Sequence, residues 1–508
     1  MKNQRKAGVL LGYSNIVVKN VVNLLYTPML LAFIGQGEYG VYQTAYQFVF
    51  SLQLLSFGFS AAYVRFYTLR KIRQDTEGIR TLNGMYLVLY VIICSLAIMI
   101  GLVCSGLSSR LFSESFTATE TVLASSLMSI MTINVAATLL STVFDAYIVA
   151  HERFTFQQTR QMVTTLATPG LALALLILGY GAIGVALAQL AVNLVLLFLN
   201  ASYAIRKLSM RFTIRGFDVN LLKALIGFSS WLFVNQITDL VVLNFPSVIL
   251  GAVSGAAVVA VFSISVQLRT LFFSLSTTVS NVFVPLVNQI VASANDNKEL
   301  TELLTRIGRY QAIFLCWILG GFAVLGRWFV SVWAGEEYLD AYWLTLAMVV
   351  PFMIPLVQNV GIEIQKAKNR HRARSAVYLI CAMIDMVLTY ALASALGYWA
   401  AAIGCVCYTI LGPCLFINWY NHFRIGLDMT TFWKQVAPVF GVCAVSALVC
   451  CFFSGTFPVD NVVSFLLWGI VYTSLYGVLV LTLVMRKEER RSIFGKIARL
   501  FCGSTIQR

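Results

Sequence analysis

Apolar residues run in long blocks, each about the length of a bilayer crossing and parted by short, mostly basic breaks. A helix needs about 20 such residues to span the hydrocarbon. The blocks predict helices near 8–33, 41–64, 83–106, 120–148, 160–178, 181–203 and 221–249. Others follow near 256–291, 309–332, 342–364, 375–396, 399–421, 435–454 and 461–485. Lipid offers no partner to an exposed backbone group, so the expected fold class is all-α: a polytopic membrane protein with about 14 transmembrane helices. The division of 160–178 from 181–203 rests on Gly179-Tyr180-Gly181-Ala182 alone. The first block is too long for a signal-peptide core and runs straight into the second, so it reads as a true helix.

A faint internal repeat organises these helices. A shift of 215 residues lays Gly12-Tyr13-Ser14 over Gly227-Phe228-Ser229, Asn20 over Asn235 and Gly40 over Gly255. Six helices bring the chain back to the side where it began, so two six-helix lobes would share one orientation. A pseudo-twofold axis along the membrane normal would relate them. The expected division is 1–205 and 206–421 for the two lobes, with 422–508 holding two extra helices and a basic tail. In that tail Ile493, Phe494, Ile497, Leu500 and Phe501 share one helical face, which predicts an interfacial helix on an anionic leaflet.

Charge fixes the orientation. Of the 508 residues 59% are hydrophobic and 11% charged, with a formal net charge of +15. With a cytoplasmic N-terminus, only Arg110 and Arg327 of the 36 basic residues lie outside, and only Lys19 and Arg269 lie within helices. That follows the positive-inside rule and puts both termini on the cytoplasmic side of the membrane. The basic residues form no continuous face with readers between them, so nucleic acid is not an expected partner.

Four charges fall near the middle of predicted helices: Lys19, Asp239, Arg269 and Asp385. A lysine at the bilayer centre costs about 3 kcal/mol on insertion scales, so such charges face protein or water and usually have a function. Asn15, Lys19 and Asn23 recur at i, i+4, i+8 on one face, and Asn235 and Asp239 repeat that spacing in the matching helix of the second lobe. Lys19 and Arg269, with Asn15, Asn23 and Asn235, are the candidate cavity residues for a phosphate or pyrophosphate. Arginine grips such a group bidentately and lysine acts on it as a point charge. Asp239 and Asp385 are candidates for counter-ions or proton coupling. The competing reading is that all four charges form buried ion pairs that set helix register. Arg65, Asp145 and Glu363 sit at cytoplasmic helix ends, where an interfacial role is the default.

No catalytic residue, metal site or cofactor is expected. The sequence holds no phosphate loop, no HExxH and no CxxC, and its eleven cysteines lie mostly inside apolar blocks, as small buried residues do. Trp328, Trp333, Tyr338, Tyr342 and Trp343 read as an interfacial aromatic belt. Pro28, Pro246, Pro285, Pro351 and Pro355 are expected bending points.

The stretch GYSNIVVKNVVNLLYTPMLLAFIGQGEYGVYQTAYQF with LLSFGFSAAYVRFY resembles the polysaccharide-biosynthesis branch of the multidrug/oligosaccharidyl-lipid/polysaccharide exporter superfamily. The matching features are Tyr26-Thr27-Pro28, Gly35, Glu38-Tyr39-Gly40, Tyr42, Gly58 and Arg65-Phe66, and the helix arrangement extends the resemblance over the whole chain. It implies a flippase for undecaprenyl-pyrophosphate-linked oligosaccharide repeat units of O-antigen, capsule or exopolysaccharide. It also implies a cavity lined by cations on helices 1 and 8, where Lys19 and Arg269 fall. A polysaccharide polymerase and a chain-length regulator are the partners it implies. Peptidoglycan-precursor flippases of the superfamily carry several arginines on helix 1; this chain has the single Lys19 there. A cation-coupled multidrug antiporter would favour acidic cavity residues, against Lys19 and Arg269. A membrane polymerase or ligase would carry a large external catalytic loop, and every predicted external loop here is short.

Overall fold

The computed structural model describes residues 2–213, 219–293 and 296–485, so the tail helix expected near 486–501 lies outside the described residues. Every regular element among the described residues is helical. The chain opens with α1 (Lys2–Phe50), α2 (Phe59–Ile72), α3 (Thr76–Gly106), α4 (Ala118–Ala150), α5 (Phe154–Ile177) and α6 (Gly181–Ser202). It continues with α7 (Val219–Leu243), α8 (Phe245–Val253), α9 (Ala256–Ser293), α10 (Asn297–Trp333), α11 (Asp340–Leu356) and α12 (Asn359–Ala367). Last come α13 (Arg372–Leu396), α14 (Tyr398–Thr409), α15 (Met429–Thr456) and α16 (Val462–Leu479).

Thirteen stretches among the described residues are long and apolar enough to cross a membrane. The first, Ser14–Ile72, has 59 residues, more than two crossings require. It is broken at Gly35 (φ 68, ψ 175), a conformation that glycine alone adopts cheaply, which makes it two crossings and accounts for the expected fourteen. The break is one residue wide, narrower than the glycine-rich run 35–40 suggested. Gly40 is helical and serves packing: a Cβ there would sit 1.9 Å from the carbonyl oxygen of Ala256.

Three expected helices are interrupted, one of them the helix expected over 342–364, which breaks at Val357-Gln358 between α11 and α12. The helix expected over 41–64 ends at Phe50, passes through a 3-10 turn over Ser51–Ser56, and restarts at Phe59 after two left-handed residues, Phe57 (φ 48) and Gly58 (φ 66). A left-handed non-glycine residue costs about 1–2 kcal/mol. The Phe57 ring stacks on Phe233 of α7 with centroids 4.0 Å apart, a contact that holds the bend in place. The helix expected over 221–249 breaks at Asn244, and Pro246 lies in the first turn of α8 rather than kinking a longer helix. The C-terminal part of the helix expected over 399–421 runs through wide π turns at Ile410–Phe416 and Asn421–Ile425.

Packing divides the chain into two compact units, Met1–Leu268 with Arg372–Gly412, and Arg269–His371 with Pro413–Arg508. The boundary falls inside α9. In the second unit α15 and α16 pack on α10. Gly308 gives Phe432 room, Gly320 gives Tyr472 room, and the core is built on Leu304, Leu315, Val357 and Val436. Tyr338 is fully buried there and Tyr342 donates its hydroxyl to Ala323 O at 2.6 Å, so of the expected aromatic belt these two, with buried Trp333, are core residues. The described cysteines are free thiols, and most are buried.

Candidate functional site

The polar face of α1 does two different things. Asn15 is 5% exposed, and its Nδ2 donates to both the backbone oxygen and Oε1 of Gln158 at 2.8 Å, which fastens α1 to α5. One turn on, Lys19 is exposed and has no ion-pair or hydrogen-bond partner among the described residues. Asn23 has an exposed side chain, and its carbonyl accepts from Thr27 Oγ1 at 2.8 Å. Thr27 Oγ1 in turn accepts from Gln267 Nε2 of α9 at 2.7 Å. Equal spacing thus yields one packing residue and two residues open to whatever fills the space beside α1.

In α7 Asn235 is half-buried, and Asp239 is exposed at the wall of a cavity of about 210 Å³. Phe50, Gln53, Leu54 and Ser56 from the interrupted helix form one side of it. Gln236, Asp239, Leu240, Leu243 and Asn244 form the other. The interruptions at Ser51–Gly58 and at Asn244 therefore border the same cavity. Gln236 Oε1 is shut off from solvent without a hydrogen-bond partner. The cation that acts electrostatically on Asp239 is Arg374 of α13. Arg374 is only 7% exposed, its guanidinium lies 6.0 Å from the Tyr378 ring centre, and its Nη1 has no hydrogen-bond partner. Sequence reasoning counted it among cytoplasmic basic residues; the available signal was its place at the very start of an apolar block.

Asp385 is fully buried where α13 meets α14. Thr389 Oγ1 donates to its Oδ1 at 3.2 Å, and Gly404 of α14 passes so close that a Cβ would lie 2.1 Å from that oxygen. Asp239 and Asp385 thus have different surroundings, the first a cavity wall and the second a helix contact.

Arg269 belongs to the second unit, 6% exposed, with its guanidinium 5.8 Å from the ring centre of Phe352, a cation–π arrangement. Arg65 is exposed on α2. Asp145 pairs with Arg160 at 2.8 Å. Arg160 also donates to Asn200 Oδ1 at 2.5 Å, and Asn200 Nδ2 to Ser141 Oγ at 2.8 Å. That closed network ties α4, α5 and α6 together. Glu363 accepts from Lys366 one turn away on α12 at 2.7 Å. Gln53 and Gln236 were missed because uncharged amides carry little weight in an apolar block, although Gln236 and Asp239 share a face at i, i+3.

A family model described as "Polysaccharide biosynthesis protein" matches residues 29–343. Among solved structures the chain is similar to the lipid II flippase MurJ in an inward closed conformation. The TM-score is 0.73 at 15% identity, covering 97% of this chain and 99% of that one. It is also similar to an inward-facing multidrug resistance MATE family transporter of the MOP superfamily, with TM-score 0.61 at 15% identity, covering 83% and 96%. A third is a MOP superfamily transporter from Pyrococcus furiosus whose binding pocket is described as of reverse polarity. There the TM-score is 0.56 at 16% identity, covering 83% and 96%. No curated protein sequence matches the chain. At such identities these structures share a fold with the chain: that of multi-pass membrane transporters.

Proposed function

Because the chain belongs to the polysaccharide biosynthesis protein family, we propose that it is a flippase for undecaprenyl-pyrophosphate-linked oligosaccharide repeat units, working by alternating access in a bacterial inner membrane with both termini cytoplasmic. A glycan joined to a pyrophosphate cannot cross hydrocarbon unaided, since its polar groups would lose water without replacement. A polar cavity in a transporter fold supplies that replacement. The single observation that carries the reading is Lys19, an exposed cation in the first crossing with no ion-pair partner among the described residues. A structural lysine would be paired; one kept free at such a depth suits an anionic head group.

In this reading Lys19 and Arg269 supply positive charge to the pyrophosphate, and Asn23 and Asn235 offer hydrogen bonds to it or to the first sugar. Asp239 and Asp385 serve as counter-ions or take up a coupling proton. The six-helix lobes 1–205 and 206–421 are the moving parts, and the helices of 422–508 accompany the lipid tail. The substrate is O-antigen, capsule or exopolysaccharide, and a polymerase and chain-length regulator act on the product. The chain performs transport, not covalent chemistry. Appearance of glycan at the outer surface of cells lacking their own flippase tests the reading.

A second reading, a cation-coupled multidrug antiporter, draws support from the likeness to MATE transporters and from the Asp239 carboxylate at a cavity wall. Organic cations would have to share the space beside α1 with an uncompensated Lys19, which disfavours it. Cation efflux from the same cells separates the two.

A further inference from the structure

We propose that the cavity between the interrupted second crossing and α7 is a monosaccharide subsite, which reads one sugar ring of the lipid-linked glycan; the proposal rests on the flippase reading. Its side chains are Phe50, Gln53 and Ser56 on one side and Gln236, Asp239 and Asn244 on the other. Size is the first argument. About 210 Å³ is several times the ~30 Å³ share of one water and below the ~300–1,000 Å³ of pockets for drug-sized ligands. That suits one ring, neither a bare ion nor a whole repeat unit.

Chemistry is the second argument. Three amides and a hydroxyl both donate and accept, a carboxylate only accepts, and an aromatic ring offers an apolar face. A sugar ring presents that same mixture, with hydroxyls around its rim and C–H faces above and below. A pyrophosphate accepts only, and the Asp239 carboxylate would repel it. A cation would be served by acceptors alone and would leave the amide N–H groups without a role. The site also lies where the backbone is irregular. The chain breaks at Ser51–Gly58 and again at Asn244, and in a membrane protein such backbone is tolerated where it lines a cavity.

The test uses the full-length protein in detergent and two lipids: bare undecaprenyl pyrophosphate, and the lipid-linked glycans extracted from the bacterium that encodes this chain. Wild type binds the glycan-bearing lipid more tightly than the bare one. Gln53→Ala with Gln236→Ala lowers affinity for the glycan-bearing lipid about tenfold and leaves the bare lipid unchanged, which also shows that the variant is folded. Phe50→Leu, which keeps bulk and loses the ring, moves in the same direction. Equal loss of both lipids, or no loss of either, overturns the subsite. So does a glycan preference that survives in the variants while a sodium or proton dependence of binding disappears, since the cavity would then hold a cation. A wild type that binds neither lipid overturns the flippase reading itself.

Discussion

A Cβ placed on Gly404 would lie 2.1 Å from Oδ1 of Asp385, so α14 can approach α13 only because that position has no side chain. The buried carboxylate and the glycine are two halves of one contact. Overpacking costs about 1–3 kcal/mol. Gly404→Ala is therefore expected to lower the melting temperature of the purified protein. Gly455→Ala, at a position with nothing within 4 Å, leaves it unchanged. Thermal unfolding followed in detergent distinguishes the two.

Asn15 and Lys19 share a helix face and are expected to fail differently. Asn15→Ala removes the donor to Gln158 and leaves half-buried acceptors unmet, at a cost of about 1 kcal/mol. Less folded protein should reach the membrane, with transport per folded molecule near wild type. Lys19→Ala should do the reverse. Immunoblot abundance set beside outer-leaflet glycan gives both quantities for each variant.

His151, just beyond the end of α4, gives a pH effect with a definite sign. Its Nδ1 faces the oxygen of Tyr147 at 2.9 Å and must donate, so in the neutral ring Nε2 accepts from Tyr67 Oη at 2.9 Å. Burial first, then the charges of Lys71 and Arg153, hold its pKa below the ordinary 6.5, against the opposing hydrogen bond to Tyr147. The unfolded chain takes up this proton more readily than the folded one, so the stabilisation is present above pH 6.5 and is lost as the pH falls below it. Melting temperatures at pH 7.5 and 5.5 should fall further apart for wild type than for His151→Gln; an equal drop would remove His151 from the account.

The Asp145–Arg160 pair reaches Asn200, and breaking half of it strands a charge. Asp145→Ala alone should lower the folded yield more than Asp145→Ala with Arg160→Ala. A double variant as poor as the sum of the single ones would mean that the two charges act independently, by the usual double-variant cycle.

The crossings were legible because apolar blocks about 20 residues long have few other solutions. The interruptions at Ser51–Gly58 and Asn244 were not, since a broken helix and a continuous one have the same hydropathy. Gly58 was visible, but Phe57 beside it owes its left-handed backbone to Phe233, far off in the sequence. The polar stripe of α1 was legible as a face. Its split into Asn15 for packing and Lys19 for exposure depends on Gln158, which periodicity within one helix cannot supply. Arg374 looked cytoplasmic by counting and is buried by packing. Gln53 and Gln236 acquire interest only once the two interruptions bring them to one cavity.

The central claim is tested most directly by external labelling of undecaprenyl-linked glycans in cells lacking their own flippase. The cells express wild type, Lys19→Ala or Arg269→Ala at matched membrane abundance. The account predicts surface labelling with wild type and its loss, about tenfold or more, in both variants, as expected when a charge-assisted contact to pyrophosphate is removed. Labelling by both variants at the wild-type level would contradict the cationic head-group site. Absence of labelling with wild type, given the glycan of its own host, would contradict the flippase.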